Sequence, residues 1–180
     1  MKPGAGKARA RPPENPGSAQ AAYDAAVKKL ARQPQSRAAL AQKLARSGFE
    51  PEAVDAALDR ARADGYLDDE EFARSLVRRR SASRGYGLIA RELRARGIEE
   101  SSAAPALETM DRDAEAARAL ELGRSMLRQR PPSDRKALQA LVGPRLSRRG
   151  FDTGLVYRVC GQLADEWQAA GRFDSPSERD

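Results

Sequence analysis

The chain has no histidine and only one cysteine, Cys160, in 180 residues. Without imidazole there is no histidine acid, base or nucleophile relay, and one thiol excludes both a Cys/His zinc cluster and a disulfide within the chain. This cysteine usage predicts a reducing cytoplasm. Aromatic residues make up 5% against 33% charged, too few for one thick core, so small helical units in a row fit better. No run of 18 apolar residues occurs, and the first 20 residues lack the apolar stretch of a secretory signal, so neither a membrane span nor export is expected. No segment alternates apolar and polar residues over a strand's length, which predicts an all-α protein. A GxxxxGK[ST] phosphate loop is also missing, and the acids cluster at helix starts where capping explains them. No catalytic residue, metal site or cofactor is therefore expected.

Positive charge and repetition are what the chain does have. Lys and Arg number 33 against 26 Asp and Glu, a formal charge of +7, and 27 of the 33 are arginine. Arginine's planar fork suits phosphate and carboxylate, so a polyanion or an acidic protein face is the expected class of partner. The stretch LARSGFE at 44–50 returns as LRARGIE at 93–99 and LSRRGFD at 146–152, with Gly48, Gly97 and Gly150 separated by 49 and 53 residues. Each copy reads as a helix closed by a left-handed glycine, followed by an apolar residue that folds back on the core.

Three helices precede or follow each of these joints. In the first unit Tyr23, Ala26, Val27 and Leu30 form a helical stripe over about 19–32. Ser36 caps a second helix carrying Leu40 and Leu44, and Pro51 opens a third with Val54, Ala57, Leu58 and Ala61, ended by Gly65. In the second unit Asp68 caps with Glu71 three residues on, Ile89 and Leu93 repeat the Leu40 and Leu44 pair, and the third helix, about 100–110, is the weakest. The third unit has a longer helix over 112–129, a break at Pro131 and Pro132, and Ser133 as a cap. Val142 and Leu146 follow, with Gly143-Pro144 expected to kink or delay that helix, then a stripe of Leu155, Val156, Val159, Cys160, Leu163 and Trp167. Cys160 takes the slot of Leu58 and Leu107 and so reads as core, not as a nucleophile.

The predicted architecture is three tandem three-helix repeats in an elongated, curved arrangement: a disordered basic tail at 1–18, repeats at 19–67, 68–111 and 112–171, and a frayed tail at 172–180. The densest charge lies in the middle repeat. Between Phe72 and Ile98 stand Arg74, Arg78, Arg79, Arg80, Arg84, Arg91, Arg94 and Arg96 against one acid, Glu92, while Arg148 and Arg149 add charge at the matching joint of repeat three. These arginines are the candidate binding surface; the bland alternative is a solvated helix face. Arg84-Gly85-Tyr86-Gly87 reads as a flexible joint. A helix-turn-helix DNA reader is disfavoured because base-reading Asn and Gln are scarce on this face, so backbone contact without sequence reading is the better nucleic-acid option.

Two motifs resemble the bacterial RecX regulators: GYLDDEEFA at 65–73 (with Gly65, Tyr66, Leu67, Asp68, Asp69 and Phe72) and SRGYGLIARELRARGI at 83–98 (with Gly85, Ile89, Glu92, Leu93 and Gly97). Tyr86 departs from that pattern, standing where the family often has proline. The resemblance spans about 19–167. It implies three tandem three-helix repeats, a monomer, no catalysis, and binding to the RecA recombinase filament that restrains filament growth, ATP hydrolysis, strand exchange and the co-protease activity behind the SOS response. Single- or double-stranded DNA, held through phosphate contacts, is the accompanying candidate partner. Direct DNA binding without RecA is the alternative.

Overall fold

A computed structural model describes residues 13–173. Within them lie nine α-helices and no strand: α1 Ala19–Leu30, α2 Arg37–Arg46, α3 Pro51–Ala63, α4 Asp69–Arg80, α5 Tyr86–Ala95, α6 Glu100–Glu108, α7 Arg112–Gln129, α8 Arg135–Arg148 and α9 Thr153–Ala169. No helix among the described residues is long and apolar enough to cross a membrane.

Side-chain caps set most of the starts. Ser18, Ser36, Asp111, Asp134 and Asp152 each accept a backbone N–H from the first turn of their helix, and Asp68 Oδ1 accepts the Glu71 N–H at 2.9 Å. Pro51 sits at the first position of α3, where its missing donor costs nothing. The α8 cap is Asp134, not the expected Ser133, because its carboxylate reaches the Ala137 N–H at 2.6 Å. Nor does Gly143-Pro144 interrupt that helix. Val142 and Leu146 on either side are fully buried, and this packing outweighs the one N–H that proline removes.

The closing glycines behave as the repetition implied. Gly48, Gly97 and Gly150 have φ of +98°, +70° and +86°, and the Phe49 and Phe151 N–H groups reach back 3.3 Å to the carbonyls of Leu44 and Leu146. Leu40, Leu44, Ile89, Leu93, Val142 and Leu146 are all fully buried, so the 49- and 53-residue offsets mark equivalent core positions.

The chain divides into two compact units, one formed by residues up to Phe72 with Arg96–Glu99, the other by Ala73–Ala95 with Glu100 onward. In the first, α1 packs closely on α3 through Ala22, Ala53 and Ala57, and Ala26, Leu40, Leu44, Val54, Leu58, Ala61 and Leu67 form the main core. In the second, α7, α8 and α9 pack on one another around Leu127, Leu138, Val142, Leu146, Phe151, Leu155, Val159, Cys160 and Leu163, and α5 packs on α6. The boundary falls inside α4, so these units are not the three sequence repeats. Of the expected N-terminal tail, residues 1–12 lie outside the described residues. The next few lead into α1, with the Glu50 N–H donating to the Pro16 carbonyl at 3.0 Å. Residues 174–180 of the expected C-terminal tail also lie outside the described residues.

Candidate functional site

The candidate arginines depend on how the start of α5 is held. The Gly85 N–H donates to the Arg149 carbonyl at 2.8 Å and the Gly87 N–H to the Gly150 carbonyl at 3.0 Å. A Cβ at Gly85 would stand 2.5 Å from the Phe151 nitrogen, so only glycine lets the two backbones approach this closely. Between these bonds the Tyr86 N–H donates to Glu115 Oε1 of α7 at 2.7 Å. The segment read as a flexible joint is therefore a packed one, hydrogen-bonded on both sides of α5's first residue. Its glycines serve contact with the α8–α9 turn.

The first unit contains the same device one repeat earlier. Ser36 Oγ donates to the Arg96 carbonyl at 2.6 Å, the Arg37 N–H donates to Asp69 Oδ1 at 2.8 Å, and a Cβ at Gly97 would meet the Ala38 Cβ at 2.4 Å. In each case the start of a repeat's second helix is clasped by the glycine turn of the next repeat and by a carboxylate from the first turn of the next repeat's first helix. Burial pushes the Asp69 carboxyl up from its ordinary range, opposed by the bond from the Arg37 backbone. The acidic run at 68–71 thus has a second role that local capping did not reveal. Glu115 was missed altogether. The available signal was the pair Gly85 and Gly87, since a helix opening has no need of two glycines.

On this support the arginines separate into two classes. Arg80 and Arg84 converge on Glu92, whose side chain is only 14% exposed. Arg84 Nη1 bonds Oε2 at 2.5 Å and Arg80 Nη2 reaches Oε1 at 3.3 Å, while Arg80 Nε lies 3.2 Å from Oε2 without hydrogen-bonding geometry. This pair fits neither a free binding face nor a solvated one: both are structural partners of a half-buried acid. Arg78, Arg79, Arg91 and Arg94 are exposed. Arg79 Nη1 donates to Ser75 Oγ at 2.8 Å and Arg91 Nε to the Gly87 carbonyl at 3.3 Å, weak local contacts that solvent or a partner can replace. Arg74 is half-buried. Arg148 and Arg149 are exposed on the turn whose carbonyls hold α5, so the structure brings their backbone to the head of the basic helix. Arg96 belongs to the first unit, with its guanidinium 5.9 Å from the Phe72 ring centre.

Among the motif residues, Leu67, Phe72, Ile89 and Leu93 are core, and Gly65 with φ of +77° closes α3. Tyr66 is different: it is 55% exposed, so packing does not account for it. Cys160 is buried in the α7–α9 core, and burial pushes its thiol up. It is therefore expected to resist Ellman's reagent at mildly alkaline pH in the native protein and to react at once in denaturant. Rapid native labelling shows that α9 opens.

Residues 22–60 match a family described as RecX, first three-helix domain, and residues 68–107 match RecX, second three-helix domain. Regulatory protein RecX of Thermobifida fusca is 36% identical over 83% of this chain and 82% of its own length. That of Halorhodospira halophila is also 36% identical, over 87% and 96%. The crystal structure of RecX from Lactobacillus salivarius superposes with a TM-score of 0.74 over 81% of this chain and 96% of its own, at 18% identity, a likeness of fold.

Proposed function

We propose, because the chain belongs to the RecX family, that this regulator binds the RecA recombinase filament and restrains it, limiting filament growth, ATP hydrolysis, strand exchange and co-protease activity. It thereby acts in recombinational DNA repair and the SOS response, as a cytoplasmic monomer with no catalytic step of its own. The observation that carries the reading is the set Arg78, Arg79, Arg91 and Arg94, exposed on the last turn of α4 and on α5, in a stretch from Phe72 to Ile98 whose one acid, Glu92, is already engaged by Arg80 and Arg84. Such a stretch carries a clear excess of positive charge for carboxylates of a protein partner or phosphates of the DNA it coats.

The test is RecA's single-strand-dependent ATPase with and without this protein. Inhibition at stoichiometric amounts in low salt is expected, easing as salt screens the arginine contacts. An unchanged rate removes the reading. The exposed arginines also suit phosphate directly, so fluorescence anisotropy on labelled single-stranded DNA separates the alternative: a binder acting without RecA takes up DNA alone, with a steep salt dependence.

A further inference from the structure

Glu115 is the one buried acid among the described residues, 1% exposed, on the first turn of α7. A carboxylate is costly to bury unless its bonds repay desolvation, and an apolar side chain fills such a space with less penalty. Its two oxygens are both used. Oε1 accepts the Tyr86 N–H at 2.7 Å and Oε2 faces Arg112 Nη1 at 3.1 Å, while Arg112 stacks over the Tyr86 ring at 4.3 Å. Every one of these contacts points at the first residue of α5.

That residue governs the basic face. α5 has ten residues, Tyr86–Ala95, too few to be stable alone, so its register depends on how its ends are tied. Glu92 follows Tyr86 by six residues, nearly two turns along the same rigid helix. Glu92 in turn gathers Arg80 from α4 and Arg84 from the intervening loop. A continuous chain of bonds therefore runs from α7 through the Tyr86 amide and α5 to the arginines, all within the second unit. The first unit makes the corresponding bond from Asp69 to the Arg37 amide, which marks the arrangement as a recurring device.

We propose that Glu115 is a positioning residue for the basic face: it anchors the N-terminus of α5 and thereby holds Glu92, Arg80 and Arg84 in the arrangement that leaves the neighbouring arginines presented to a polyanionic or acidic partner. The part concerning filament inhibition rests on the function proposed above. The part concerning arginine placement does not.

The experiment compares the full-length chain with Glu115→Ala and Glu115→Gln. Three quantities are read: exchange of the Tyr86 amide, the side-chain Nε–H resonances of Arg80 and Arg84, and the concentration that half-inhibits RecA ATPase. In Glu115→Ala the Tyr86 amide is expected to exchange about tenfold faster, the two guanidinium resonances to broaden, and half-inhibition to need about tenfold more protein, the scale of one lost charge-assisted hydrogen bond. Glu115→Gln keeps an acceptor for the amide and is expected to restore most of all three. If exchange accelerates while the guanidinium signals and the inhibition stay put, Glu115 is only a structural residue and the proposal is overturned. If the parent protein does not inhibit RecA, the functional reading fails separately, and the guanidinium resonances alone decide the positioning role. Should Glu115→Ala not fold, Tyr86→Pro deletes the donor at a position where proline opens a helix well, and the same guanidinium broadening is expected.

Discussion

Gly150→Ala is expected to destabilise the protein by about 3 kcal/mol or more, seen as a lower urea midpoint with the joint between α5 and the α8–α9 turn opened. Two costs add at this position. Gly150 has φ of +86°, and a side chain in the left-handed region costs about 1 to 2 kcal/mol. The added Cβ would also stand 2.2 Å from the Leu88 nitrogen and 2.8 Å from its Cα. Backbone inside a packed joint cannot swing aside, so the joint must separate, and the Gly85 and Gly87 N–H bonds to the turn are strained or lost. Gly65→Ala is the matched control: φ is +77° but nothing lies within 4 Å of its Cβ, so about 1 kcal/mol from backbone strain alone is expected. Chemical denaturation of both variants checks the difference. Equal losses would mean that the close approach at Gly150 contributes nothing.

The contrast between these glycines shows which parts of the fold were legible in the sequence. Helix ends are local events: a capping Ser or Asp, a proline in the first turn, a glycine at the close, each acting within a few residues, and so α7 runs over the expected 112–129 and Gly48, Gly97 and Gly150 have positive φ. The joints are not local. Asp69 reaches an amide 32 residues away and Glu115 one 29 residues away, and no periodicity within a helix encodes such a pairing. Gly85 illustrates the resulting misreading. Read alone, a glycine-rich tetrapeptide between helices suggests freedom; set against Gly150, the same absence of Cβ allows two backbones to touch. Pro144 misled in the other direction: local propensity suggested a kinked or delayed helix, but α8 begins at Arg135 and runs unbroken through it, with Val142 and Leu146 buried on either side. The candidate site was legible as composition but not as geometry. Eight arginines were visible between Phe72 and Ile98, yet only the structure separates Arg80 and Arg84, held by Glu92, from those exposed on the surface.

That separation changes which substitutions test the basic face. Reversing Arg78, Arg79 and Arg80 together would place a new carboxylate beside the half-buried Glu92, and like charges at that distance disturb the α4–α5 contact whatever the partner does. Arg78→Glu with Arg79→Glu avoids this. Both residues are exposed on the last turn of α4, so the cost to folding is expected to be small, with about 0.5 kcal/mol each from losing favourable charge at a helix C-terminus and the exposed Arg79–Ser75 bond also given up. Each reversal removes one cation and adds one anion facing the partner. At about 1 kcal/mol per charge-assisted contact, with repulsion added, the pair is expected to weaken filament inhibition roughly thirtyfold or more. The loss should shrink as salt rises, because the parent protein's advantage is electrostatic. Titrating RecA ATPase at two salt concentrations, with circular dichroism to confirm unchanged helicity, measures both effects. A folded double variant that inhibits as well as the parent at low salt would show these arginines to be solvated surface, and the binding face would then have to be sought around Arg91, Arg94, Arg148 and Arg149.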